Sequence, residues 1–101
     1  MDTVIVRYEL DPARLDEHLA LINDVFEHLR ATTPSGVHYG VLRSVDGMSF
    51  THIGLYDTPE ARTIATGSDA FTAFGADVAH RCVVAPNAVA QTVIEGYDIF
   101  N

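Results

Sequence analysis

A single cysteine, a shortage of basic residues and the lack of any long apolar run limit this chain before any motif is read. Cys82 is the one cysteine in 101 residues. It can form no internal disulfide and has no second thiol for a CxxC motif or a zinc cluster, which suits a reducing cytoplasm. Six basic residues stand against 14 acidic ones, for a formal charge of −8. The basic six are scattered, so no cluster is available to neutralise a phosphate backbone or an anionic bilayer. No apolar run nears the ~20 residues that cross a bilayer, and Met1, Asp2 and Thr3 form neither a basic n-region nor an apolar h-region. The expectation is a cytoplasmic protein with neither nucleic acid nor membrane as a partner.

What is present is a globular composition. Hydrophobic residues make up 48% and charged ones 20%, too apolar for a disordered chain and enough for one domain spanning residues 1–101. Residues 3–10 are β-branched and aromatic and read as a strand. Asp11 and Pro12 then supply a cap and a first helical position. Leu15, Leu19, Ile22, Phe26 and Leu29 follow at steps of four and three, the stripe of a helix of about five turns. Thr33, Pro34, Ser35 and Gly36 break it. Residues 37–45 and 48–56 flank Asp46-Gly47, which predicts a hairpin with a type I′ turn. Its register pairs Arg43 with Phe50, Val41 with His52, Tyr39 with Gly54 and Val37 with Tyr56 on one face, leaving His38, Leu42, Ile53 and Leu55 on the other. Thr58-Pro59-Glu60 starts a second helix, interrupted at Gly67-Ser68, where Ser68 caps a further segment with Phe71, Phe74, Val78 and Cys82 on one side. Pro86-Asn87 stops that segment, residues 88–95 read as a last strand, and residues 96–100 as a semi-apolar tail.

The order is β-α-β-β-α-β, the ferredoxin-like arrangement: α+β, a four-stranded antiparallel sheet with both helices on one face. Both faces of the central hairpin carry apolar groups and two helices cover only one. A second copy is expected to cover the other, making a homodimer.

At this point the chain resembles the dimeric α+β barrels, and among them the antibiotic biosynthesis monooxygenase-like proteins. The resemblance spans nearly the whole length in element order and size. Its local carriers are Phe50 through Tyr56 leading into Asp57-Thr58-Pro59-Glu60-Ala61, then Ser68-Asp69-Ala70-Phe71. It implies a small-molecule pocket between helices and sheet and, in characterised relatives, oxidation of phenolic or polycyclic substrates without a cofactor. Other relatives degrade heme, using an asparagine on the first strand, a tryptophan, and a helix histidine just after the Ser-x-x-Phe turn. This chain has Arg7 or its neighbours, no tryptophan, and Gly75 near those positions. The quinol-oxidising relatives carry an acidic residue in the third strand and a histidine in the second helix, where this chain has Gly54 and Ile64 or Ala65.

Among candidate residues, His52 shares its face with Arg43, Tyr39, Phe50 and Tyr56, offering a base, a cation and a phenol amid aromatic walls. If that face lines the pocket, Arg43 holds a phenolate or carboxylate and His52 removes a proton. If it is the subunit interface, His52 is a satisfied interfacial group. His18 reads as a boundary histidine at the edge of its helix stripe, within reach of a pocket. Tyr8 is a core residue whose hydroxyl needs a partner once buried. His38 points away from His52, so the two cannot share a metal ion, and no metal or cofactor is expected. Cys82 reads as a small hydrophobe. The functional expectation is a cofactor-independent, monooxygenase-like enzyme. The alternative is a non-catalytic dimeric protein that binds a ligand or assists another enzyme.

Overall fold

The structure, a computed structural model, describes residues 1–98, so Ile99 and Phe100 of the expected tail lie outside the described residues. Four strands, β1 (Asp2–Leu10), β2 (Val37–Arg43), β3 (Ser49–Tyr56) and β4 (Cys82–Gln91), form an antiparallel sheet in the order β2-β3-β1-β4. Helices α1 (Leu15–Thr32), α2 (Pro59–Thr66) and α3 (Asp69–Ala76) cover one face. This is the α+β, ferredoxin-like arrangement expected from the sequence, with its second helix divided in two.

The local signals act as their chemistry dictates. The Asp11 carboxylate accepts from the Ala13 amide at 3.0 Å and opens a short 3₁₀ turn, Pro12–Arg14, ahead of α1. Thr58 caps α2 by accepting from the Ala61 amide at 3.1 Å, and Ser68 caps α3 by accepting from the Phe71 amide at 3.3 Å. Between β2 and β3 the register is the one the sequence predicts, but the turn is not type I′. The Gly47 amide donates to the Ser44 carbonyl, which puts Val45 and Asp46 at the centre of the turn, and Gly47 alone takes a positive φ, +83°. Asp46 stays at negative φ because its carboxylate accepts from the Met48 amide and the Ser44 hydroxyl, which holds a wider loop closed.

Three further expectations are corrected. The stripe on α1 is turned by one step: Leu19 is 38% exposed, whereas His18 and Val25 are buried. His18 is therefore no boundary residue. The last helix does not continue to Cys82. It ends at Ala76, a 3₁₀ turn follows at Ala79–Arg81, and β4 begins at Cys82. Pro86 lies inside that strand instead of ending a helix. It is tolerated because β4 is an edge strand and its pairing with β1 slips between Arg7 and Glu9, where a ladder N–H is not required. Residues 92–95, expected as strand, are irregular.

The main core gathers Tyr8, Leu10, Val25, Phe50 and Phe74 between sheet and helices, with Leu15, Ile22 and Leu29 packed against them. Tyr8 and Phe50 stack at 5.5 Å with rings nearly parallel. Into this apolar layer the chain inserts two histidines and an arginine, an expensive choice unless every polar atom finds a partner.

Candidate functional site

His52 lies on β3 between two neighbours. Its directly paired residues are Val6 on β1 and Val41 on β2, and two residues along each of those strands stand Tyr8 and Tyr39. These are diagonal cross-strand positions, reachable only by long side chains. The Tyr8 hydroxyl meets His52 Nε2 at 2.7 Å, and the Tyr39 hydroxyl meets His52 Nδ1 at 2.5 Å. From above, α1 lowers His18 until its Nε2 lies 2.6 Å from the same Tyr8 hydroxyl. The turn after α3 then delivers Arg81, whose Nε donates to His18 Nδ1 at 3.0 Å and whose NH2 group donates to the Phe74 carbonyl at 2.7 Å. The result is one continuous line, Arg81, His18, Tyr8, His52, Tyr39, drawn from five separate elements.

The interior of this line is dry. Arg81 is 1% exposed, His18 0%, Tyr8 3% and His52 4%. Burial pushes the His18 and His52 imidazoles down from 6.5 to about 4, helped by Arg81 at His18 and by His18 at His52. Burial pushes the Tyr8 and Tyr39 phenols up. At neutral pH both imidazoles and both phenols are uncharged. Among the described residues Arg81 makes no ion pair. Its charge rests on hydrogen bonds and on the Phe74 ring, 5.2 Å from the guanidinium carbon.

Beside the line opens a cavity of about 210 Å³, walled by Val4, Val6, Phe71, Phe74, Val78 and Ala88, with Tyr8, Tyr39, His52 and Tyr56 also facing it. Its surface is overwhelmingly apolar. Gly54 forms part of the wall because a Cβ there would stand 2.7 Å from the Tyr56 hydroxyl. The Tyr56 ring thus occupies the space a side chain at position 54 would take. Thr66 and Arg62 are also on the wall, with Arg62 bonded to Asp2 at 2.7 Å.

The residues singled out in the sequence divide accordingly. His52, Tyr39, Tyr8 and Tyr56 face the cavity. The His52 face of the hairpin is turned toward the helices and is therefore not the bare side of the sheet. His18 is joined to the line but is not part of the wall, and Phe50 supports Tyr8 and His18 from below. Arg43 is not in the site. It is exposed, its Nε donates to the Gly47 carbonyl at 2.8 Å, and its guanidinium rests 5.7 Å from the Phe50 ring. It shares a face with His52, but it lies at the turn end of the hairpin while the cavity lies toward Gly54 and Tyr56. His38 lies on the opposite face, 3.2 Å from Asp57. Sequence reasoning missed Arg81, Arg62 and Thr66. Arg62 and Thr66 are one helical turn apart on α2, a spacing legible in retrospect. Arg81 gave no signal, because the helix was read straight through it. Among the described residues no group of three or more His, Cys, Asp or Glu side chains is placed to hold a metal ion.

No family model matches the sequence, and no curated protein matches it. Solved structures do. Rv0793 from Mycobacterium tuberculosis superposes with a TM-score of 0.78 over 94% of this chain and 96% of its own, at 20% identity. An antibiotic biosynthesis monooxygenase gives 0.78 over 94% and 100%, at 18% identity. The chain has the antibiotic biosynthesis monooxygenase-like fold. A variant of SnoaB, a cofactor-independent oxygenase from Streptomyces nogalater, shares it with a TM-score of 0.71 over 96% of both chains, at 14% identity. The resemblance read from Phe50 to Phe71 therefore holds at the level of fold. Among the described residues no helix is long and apolar enough to cross a membrane.

Proposed function

We propose that this chain, like SnoaB, is a cofactor-independent oxygenase, and that its substrate is a one- or two-ring phenol held in the cavity beside Tyr39. The observation that carries this reading is an apolar, aromatic-walled cavity entered by the end of one buried hydrogen-bonded line whose histidines and tyrosines are uncharged. Size narrows the substrate. An apolar cavity of ~150 Å³ takes benzene, so about 210 Å³ suits one or two fused rings better than the larger polycycles.

The role first given to His52 needs revising, since both of its ring nitrogens are engaged by tyrosine hydroxyls. His52 acts through Tyr39, which offers its O–H to the substrate oxygen and stabilises the phenolate. The substrate binds as its phenolate, its proton lost to water, and this electron-rich form reduces dioxygen: the ring carbon para to its oxygen bonds to one oxygen atom, and a proton from water completes the hydroperoxide. Loss of that carbon's hydrogen, with cleavage of the O–O bond, leaves a quinone and one water. The substrate supplies the electrons and dioxygen accepts them. Arg62, at the wall, is placed to hold a carboxylate on the substrate, one of the two groups the sequence reading gave to Arg43.

An oxygen electrode with a panel of one- and two-ring phenols tests this. Oxygen uptake with matching quinone absorbance is expected, and Tyr39→Phe should lower it about 10- to 100-fold, the worth of one hydrogen bond to a charged group. Phenol binding without oxygen uptake favours the non-catalytic reading instead.

The same reading includes a homodimer. On the sheet face turned away from the helices, which residues 92–95 flank, Leu42 is 58% and Val89 46% exposed, Ile5 and Ile53 lie between them, and the Thr3 hydroxyl is buried without a hydrogen-bond partner among the described residues. Sedimentation at micromolar concentration is expected to give a dimer, which Leu42→Glu dissociates. A monomeric wild-type protein would refute it.

A further inference from the structure

The hydrogen bonds of the buried line have a direction, and Arg81 sets it. A guanidinium only donates, so His18 Nδ1, facing Arg81 Nε at 3.0 Å, must be the bare acceptor nitrogen. A neutral imidazole carries one N–H, which for His18 must then be on Nε2, donating to the Tyr8 oxygen. Tyr8 gives its own proton to His52 Nε2. His52 is left with its N–H on Nδ1, donating to the Tyr39 oxygen. The Tyr39 O–H is thereby freed and turns to the cavity. The opposite order fails at two places. It sets a His18 N–H against the Arg81 N–H, or, if only His52 is reversed, it gives Tyr8 two incoming donors and no acceptor for its own proton. Each such mismatch leaves a buried polar atom without a partner, which the interior of the protein penalises.

We propose that Arg81 is a positioning residue that locks His18 and His52 in opposite tautomers, so that Tyr39 meets a ligand only as a hydrogen-bond donor and the cavity selects anionic or carbonyl oxygen over neutral hydroxyl. The proposal rests on the cavity being the ligand site, but its first test does not depend on turnover. Arg81 is not itself part of the cavity wall, which its side chain meets through Phe74. It works through three side chains, and its positive charge polarises each donor in turn.

The first experiment is nitrogen-15 NMR of the imidazole rings in the ligand-free protein near neutral pH. Protons on His18 Nε2 and His52 Nδ1 are expected. Like tautomers in the two rings, or the reversed pair, would overturn the proposal whatever the enzyme does. The second measures binding of pentafluorophenol, ionised near neutrality, against phenol, which is not. Wild type should favour the phenolate by about tenfold or more. Arg81→Met should abolish that preference and mix the His18 tautomers, and Arg81→Gln, which keeps an N–H at the same place, should restore both. If Arg81→Met weakens both ligands equally, Arg81 is merely structural and the proposal fails. If Arg81→Met does not fold, the wild-type tautomers and Arg81→Gln still decide. Correct tautomers with no oxygen uptake leave this inference standing and remove the oxygenase reading alone.

Discussion

Phenylalanine in place of Tyr8 is expected to destabilise the protein by about 2–5 kcal/mol. The hydroxyl lies at the centre of the buried line, 2.6 Å from His18 Nε2 and 2.7 Å from His52 Nε2. Removing it leaves a donor on one histidine and an acceptor on the other without partners, and each buried orphan costs about 1–3 kcal/mol. The ring itself is kept, so its stacking on Phe50 and its burial are unchanged and the loss is attributable to the oxygen. Urea denaturation should show a lower midpoint at an unchanged slope. A double variant, Tyr8→Phe with His18→Leu, should lose less than the sum of the two single changes, because His18 no longer has an N–H to orphan. A loss under about 0.5 kcal/mol for Tyr8→Phe would mean that the hydroxyl is not holding the two histidines.

Acid should weaken the same structure by a comparable amount. His18 and His52 are pushed down from 6.5 to about 4 in the folded state. Between those values the unfolded chain binds protons that the folded one refuses, so unfolding takes up protons and stability falls as the pH falls. The stabilisation is complete above about 6.5 and is lost as the pH descends through 4. At ~1.4 kcal/mol per pH unit for each group, either histidine alone accounts for roughly 3 kcal/mol. Together they account for less than twice that, because the two sites are coupled. Denaturation midpoints followed from neutrality to pH 4.5 should trace this slope, and His52→Gln should flatten it. A wild-type curve flat over that range would mean that the imidazoles are charged, or solvated, in the folded protein, and the direction assigned to the hydrogen bonds would fall with it.

The two experiments probe a single trade. A small sheet packed by three helices has little core to spare, and this one gives part of it to five polar side chains. They are tolerable only as a complete set. That is why single deletions are expected to be costly.

Much of this was legible beforehand. Alternation along two strands, with Asp46-Gly47 between them, was enough to pair Val41 with His52 and Tyr39 with Gly54, and those pairs already place Tyr39 diagonally beside His52. Caps at Asp11, Thr58 and Ser68 marked where helices begin, because capping is chemistry between residues two or three apart. Apolar groups on both hairpin faces pointed to a sheet with one side left over. The reading of His18 as a boundary residue failed because a stripe of leucines and isoleucines marks a helix face only to within a step, and the step was decided by what the sheet offered below it. Arg43 was placed in the site because a shared face says nothing of distance along a strand.

Local order, the register of the β2–β3 hairpin and the grouping of His52 with Tyr39 on one hairpin face were determined by the sequence alone, since each follows from contacts between near neighbours or from the two-residue period of a strand; that this face turns inward was not. The line from Arg81 to Tyr39, its direction, and the cavity at its end were decided only in three dimensions. They join residues 8, 18, 39, 52 and 81, whose meeting depends on how β1 pairs with β3, how α1 is rotated, and where α3 ends. Those are long-range choices settled by packing, and no local pattern encodes them.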